Sequence, residues 1–171
     1  MDLSKLKMGD NPPQEVNVVV EIPFGSSVKY EVDKETDLLF VDRFNFTAMF
    51  FPFNYGFIPT TKGEDGDPLD ILVISSFPVN AGSVIKSRPV GLLEMEDESG
   101  IDTKIIAVPI EKVDPFYSHI KDVQDLPEAI LNRIKHFFDH YKELEAEKWV
   151  KTKDFQSKNK AYDEINKSTI K

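Results

Sequence analysis

Cysteine is missing from all 171 residues, and histidine is scarce at three. The first absence excludes a disulfide framework. Together the two leave zinc, which favours sulfur and nitrogen ligands, poorly served. No apolar run approaches the length of a membrane span, and the opening MDLSKLKMGDNPPQ has neither the apolar core nor the cleavage site of a signal peptide. The expectation is a cytoplasmic protein without membrane partners. Positive charge is also short: 21 basic residues face 30 acidic ones, and the net charge of −9 opposes nonspecific attraction to nucleic acid or anionic lipid. Internal repeats and low-complexity segments are absent.

What is present reads as one globular domain over residues 1–171, with 40% hydrophobic and 30% charged residues. Period-two alternation and β-branched residues predict strands over 16–22, 28–32, 38–43, 71–75, 83–94 and 103–110. In the second of these, Val28, Tyr30 and Val32 are expected on the core face, with Lys29 and Glu31 together on the other. The aromatic stretch from Phe44 to Phe57 is broken by Pro52, Asn54 and Gly56 and reads as irregular. Pro127 opens a long helix whose buried stripe is Ile130, Ile134, Phe137, Phe138, Tyr141 and Leu144. A shorter, charge-rich helix is expected over 157–167. Short strands followed by terminal helices predict an α+β fold, a closed five-stranded antiparallel OB-like β-barrel with helices packed outside.

The chemistry concentrates in Asp65-Gly66-Asp67-Pro68-Leu69-Asp70, where three carboxylates share one turn. Like charges at that spacing repel and raise one another's pKa, so a positive partner is expected, and oxygen-only donors suit a hard cation such as Mg²⁺. Gly66 permits a left-handed backbone and Pro68 stiffens the exit. An EF-hand is excluded by spacing, because counting from Asp65 puts Asp70 and Ser76 where glycine and glutamate are required. The bland alternative is an acidic surface turn. Context opposes it: Asp97 and Asp102 bracket a second acidic turn, and Lys104 follows on the same strand face as Asp102. Glu21, Lys29, Glu31, Arg43, Tyr55, Tyr141 and Lys142 sit at strand ends, in the aromatic segment or at the end of the long helix. Carboxylates interleaved with lysine and arginine describe a site for a small, highly charged phosphate compound.

DGDPLDI at 65–71 matches the signature of the family I soluble inorganic pyrophosphatases, and the likeness extends through further segments. These are EIP at 21–23, KYEVDK at 29–34, LFVDRF at 39–44, TAMFFPFNYGFIP at 47–59, RPVG at 88–91, IKDVQDLPE at 120–128 and HFFDHYKELE at 136–145. The chain thus resembles the bacterial members of that family from about residue 12 to residue 150. The resemblance implies Mg²⁺-dependent hydrolysis of pyrophosphate to two orthophosphates, with several Mg²⁺ ions per active site. It implies Asp65, Asp70 and Asp102 as ligands of the tightly held metals, Asp70 bridging two. Asp97 would join Asp102 on a further metal, with Glu31 and Glu21 serving the remaining cation. It also implies Asp67 as general base and Lys29, Arg43, Lys104, Tyr55, Tyr141 and Lys142 as phosphate binders. Bacterial members assemble as homo-hexamers, and the helix face carrying His136 and His140 is the expected subunit contact. One departure stands out: Phe51 occupies a position that is usually tyrosine. The competing readings are an OB-like module that binds oligonucleotides or a phosphate ligand without turnover, and a structural Ca²⁺-binding protein.

Overall fold

The computed structural model describes residue 3 and residues 5–33, 35–64 and 66–170. Among these, the chain runs β1 (Val16–Ile22), β2 (Val28–Val32), β3 (Leu39–Phe44), β4 (Asn54–Phe57), β5 (Asp70–Val73), β6 (Val84–Asp97), β7 (Gly100–Ile101) and β8 (Lys104–Pro109). Helix α1 (Glu128–His140), strand β9 (Val150–Ser157) and helix α2 (Lys158–Ser168) complete it. Five strands close a ring in the order β1, β4, β5, β8, β6, with β6 returning to β1. This is the expected OB-like barrel. Four of its junctions are antiparallel, and the fifth, β5 with β8, is parallel with Ile71 opposite Ile105. A parallel pair needs a long crossover, which the β6–β7 hairpin supplies.

The ring strands read as near-continuous apolar runs because both of their faces are buried. Every residue of β8, Lys104 included, is buried. Alternate residues feed two apolar clusters. Leu72, Ile74, Ile106 and Val108 join Phe137 and Phe138 of α1 in one, whereas Ile71, Val73, Ile105 and Ala107 join Ala161 and Ile165 of α2 in the other. Pro127 immediately precedes α1, and Ser157 occupies the N-cap position of α2. Among the described residues, no helix is long and apolar enough to cross a membrane.

Several elements differ from the sequence expectation. The segment read as irregular contains β4, and Gly56 there is an accommodation rather than a break: a Cβ would lie 1.8 Å from the Val19 carbonyl oxygen, so only glycine lets β1 approach. Strand β9 was not expected at all. It is an edge strand on β6 whose lysines and aspartate hide its alternation. Strands β2 and β3 form a separate two-stranded hairpin, so Val28, Tyr30 and Val32 are half-buried instead of facing the core. Leu144 falls beyond the end of α1 and is 63% exposed, so the buried stripe stops at Tyr141.

Candidate active site

A cleft of about 1400 Å³ opens between the β2–β3 hairpin, the mouth of the ring and the loop after α1. Of the residues singled out in the sequence, Glu21, Lys29, Glu31, Arg43, Tyr55, Asp67, Asp70, Asp97, Asp102, Lys104, Tyr141 and Lys142 all line it. Asp65 lies outside the described residues. Among those described, no three acidic or histidine side chains converge closely enough on their own to form a ready cation cage. The carboxylates instead surround the cleft, interleaved with the cations.

Each element delivers its residues for a local reason. In the acidic turn, Gly66 takes φ +93°, the left-handed conformation that glycine tolerates, and the Gly63 N–H donates to the Asp67 carbonyl at 2.7 Å. Asp67 thereby stands at the cleft rim and Asp70 at the start of β5. Strand β1 shifts register between Val20 and Ile22, leaving Glu21 as the unpaired extra residue of a bulge. Such a residue is re-aimed out of the regular pleat. Glu21 Oε1 accepts from the Val32 N–H at 2.7 Å and so tethers the hairpin to the barrel.

Lys104 is the electrostatic centre. Its side chain is only 3% exposed, and its ammonium donates to Asp70 Oδ2 at 2.5 Å and to Asp102 Oδ1. Burial acts to lower its pKa, but the charges of Asp70 and Asp102 outweigh that effect and hold it above the ordinary lysine value. One cation shared by two carboxylates leaves the cluster with excess negative charge. Burial, together with Asp70 and Asp97, accordingly pushes the Asp102 carboxyl up against the pull of Lys104. Glu21 is pushed up to about 7, first by burial and then by the charges of Asp70 and Glu31. Asp97 behaves oppositely: burial raises it, but the Lys142 ammonium at 2.9 Å and the Ser99 N–H prevail and lower it.

Tyr55 and Tyr141 are nearly buried, and burial pushes both hydroxyls above the usual tyrosine range, so both stay neutral donors. Phe51 buttresses them. Its ring centroid lies 5.5 Å from that of Tyr55, 6.3 Å from Tyr141 and 4.8 Å from Phe137.

On the hairpin, Lys29 sits opposite Arg43 and pairs with Glu31, as the shared strand face requires. Four further charged residues, unmarked in the sequence, meet this network. Asp42 Oδ2 accepts from Lys29 Nζ at 3.1 Å and from Arg43 Nη1 at 2.6 Å. Alternation would put Asp42 on the face away from Arg43, but the register shift opposite Lys29 and Tyr30 leaves it as a bulge residue. Glu145 accepts from Arg43 Nε at 3.1 Å. Glu98 accepts from Lys148 at 2.5 Å on the far wall. Nothing local in the sequence marks Glu98, Glu145 or Lys148, because their partners are 50 to 102 residues away.

Comparison with known proteins points the same way. The sequence profile described as inorganic pyrophosphatase matches residues 18–171. The inorganic pyrophosphatase of Aquifex pyrophilus is 60% identical over 167 residues, covering 98% of this chain and 94% of that protein. That of Saccharolobus solfataricus is 54% identical, with 96% and 95% covered. Among solved structures, the Helicobacter pylori inorganic pyrophosphatase superposes with a TM-score of 0.93 at 50% identity, covering 96% of each chain. The Thermus thermophilus inorganic pyrophosphatase gives 0.93 at 45% identity, with 97% and 95% covered. With identity at this level over nearly the whole length and the same fold, the chain belongs to the family I inorganic pyrophosphatases.

Proposed function

We propose that the protein hydrolyses inorganic pyrophosphate to two orthophosphates, with Mg²⁺ as the activating cation and several ions per cleft. The observation that carries this reading is the alternation of carboxylates with lysine, arginine and tyrosine donors around one cleft. Neither set alone needs the other; a doubly metallated, highly charged phosphate needs both.

The donor set fits a hard divalent ion, since it is made of carboxylate oxygens, of which Glu21 and Asp102 are held above the usual carboxylate range first by burial and then by neighbouring carboxylate charge. Asp65, Asp70, Asp97, Asp102, Glu31 and Glu21 are the residues that would hold the ions. Bound there, divalent cations would bring the pKa of water from about 15.7 toward neutrality and offset phosphate charge. Asp67, at the rim between the acidic turn and the cleft, accepts the proton of the attacking water as general base. Arg43 presents a planar fork to phosphate oxygens, while Lys29, Lys104 and Lys142 act as point charges. Tyr55 and Tyr141 donate uncharged hydrogen bonds that persist at any physiological pH. Because phosphoryl transfer demands little covalent help, these positioned donors carry much of the acceleration.

The same resemblance supports a cytoplasmic homo-hexamer. The deciding assay is phosphate release from pyrophosphate with and without Mg²⁺, with Ca²⁺ as competitor. Rapid Mg²⁺-dependent release is expected. Its absence from folded protein would overturn the reading in favour of a binding module.

A further inference from the structure

Glu145 sits in the loop beyond α1, and its side chain is only 11% exposed. A carboxylate that far from water is costly to hold unless it is paired. Its partner is Arg43, whose Nε donates to Glu145 Oε1 at 3.1 Å from a strand 102 residues away in sequence. Asp42 takes Nη1 of the same guanidinium at 2.6 Å. Two carboxylates on different elements therefore hold the plane at two of its nitrogens. Among the described residues these bonds occupy two of the five N–H donors, and the direction of the other three is set by where the first two are tied.

The two ties are not equivalent. Asp42 is the chain neighbour of Arg43, is 31% exposed, and also receives Lys29. Alone it would restrain one nitrogen of a long side chain and leave the plane free to swing. Glu145 supplies the second, more buried anchor, and it belongs to the same loop as Lys142, whose Nζ reaches Asp97 at 2.9 Å.

We infer that Glu145 is a positioning residue for Arg43: it fixes the guanidinium plane so that its open donors meet the phosphate oxygens of a diphosphate. This rests on the reading of Arg43 as a phosphate binder. A purely electrostatic role would have the opposite sign. A nearby anion weakens the attraction of Arg43 for phosphate, so deleting the charge would tighten binding; deleting an anchor loosens it.

The test is a double-mutant cycle of Glu145→Ala with Arg43→Ala, with Glu145→Gln as the conservative variant. The readouts are KM and kcat for pyrophosphate, calorimetric affinity for methylenediphosphonate, and melting temperature. Glu145→Ala should raise KM and weaken the bisphosphonate affinity roughly tenfold, with kcat within about twofold, the pattern of lost uniform binding between coupled neighbours. Glu145→Gln keeps an acceptor for Nε and should retain most of the affinity; it also serves if the alanine variant does not fold. In the Arg43→Ala background, Glu145→Ala should add nothing. Unchanged or tighter binding in Glu145→Ala, or an equal loss without Arg43, overturns the inference alone, provided that Arg43→Ala itself weakens binding. If Arg43→Ala leaves KM and affinity unchanged, the phosphate-binding reading fails and the inference falls with it.

Discussion

Replacing Lys104 with methionine keeps an unbranched side chain of similar length and deletes the cation that Asp70 and Asp102 share. Removing one partner of a buried ion pair typically costs about 3–5 kcal/mol, because the other charge is left uncompensated. Here the stranded partners are not fully enclosed: the Asp70 and Asp102 side chains are 31% and 19% exposed and can recover some hydration. The cost should therefore fall at the lower end, about 3 kcal/mol, which for a domain of this size lowers Tm by roughly 6–12 °C. The metal dependence carries the mechanism. In chelator the two carboxylates have lost their counter-charge, whereas bound Mg²⁺ replaces it and stabilises the folded state by mass action. The deficit should then narrow by at least half between EDTA and saturating Mg²⁺, measured by thermal denaturation of both proteins under both conditions. A deficit below about 1 kcal/mol in EDTA would contradict the burial argument. A deficit of the same size with and without Mg²⁺ would refute the idea that lysine and metal answer the same negative charge.

Other expectations follow from the same cleft. Asp67→Asn should lower turnover by roughly 10²- to 10⁴-fold, the span of a positioned base, and near-normal turnover would remove Asp67 from that role. Phe51→Tyr adds a hydroxyl within the packed Phe51, Tyr55 and Tyr141 group, and should alter Mg²⁺ or substrate affinity while leaving the fold intact; titrations matching the parent protein would dismiss the idea. Metal-free protein should become more stable as pH falls. The Glu21 carboxyl is raised from 4.5 to about 7 in the folded chain, so folding takes up a proton across that window, contributing about 3 kcal/mol at its acid end and losing it as pH rises through 7. A Tm in EDTA that drops between pH 8 and pH 5.5, or a rise that survives Glu21→Gln, would argue against this.

How much of this was legible beforehand depended on how local the cause was. The apolar runs of β1, β5, β6 and β8 marked the ring because buried strands carry their own signal. The acidic turn and the Lys104–Asp102 pair were equally visible, since residues two to five apart fix their own geometry. Strand β4 gives no such signal, because Gly56 reads locally as a breaker and only the proximity of Val19, 37 residues earlier, shows why glycine is there. Strand β9 carries no such signal, because it is held to the sheet edge by its backbone ladder with β6 and none of its side chains is fully buried.

The cleft adds a subtler reason. Two carboxylates of the charge network, Glu21 in the cleft wall and Asp42 beneath Lys29 and Arg43, are the extra residues of β-bulges, and a bulge cancels the period-two rule from which side-chain direction is read. By alternation Asp42 and Arg43 should face apart; the bulge lets both serve one side, with Lys29 on the same carboxylate oxygen. A regular sheet would alternate these charges across two faces. Irregularity at these two points, one in the barrel and one in the hairpin, is thus what turns Glu21 and Asp42 into the charge network.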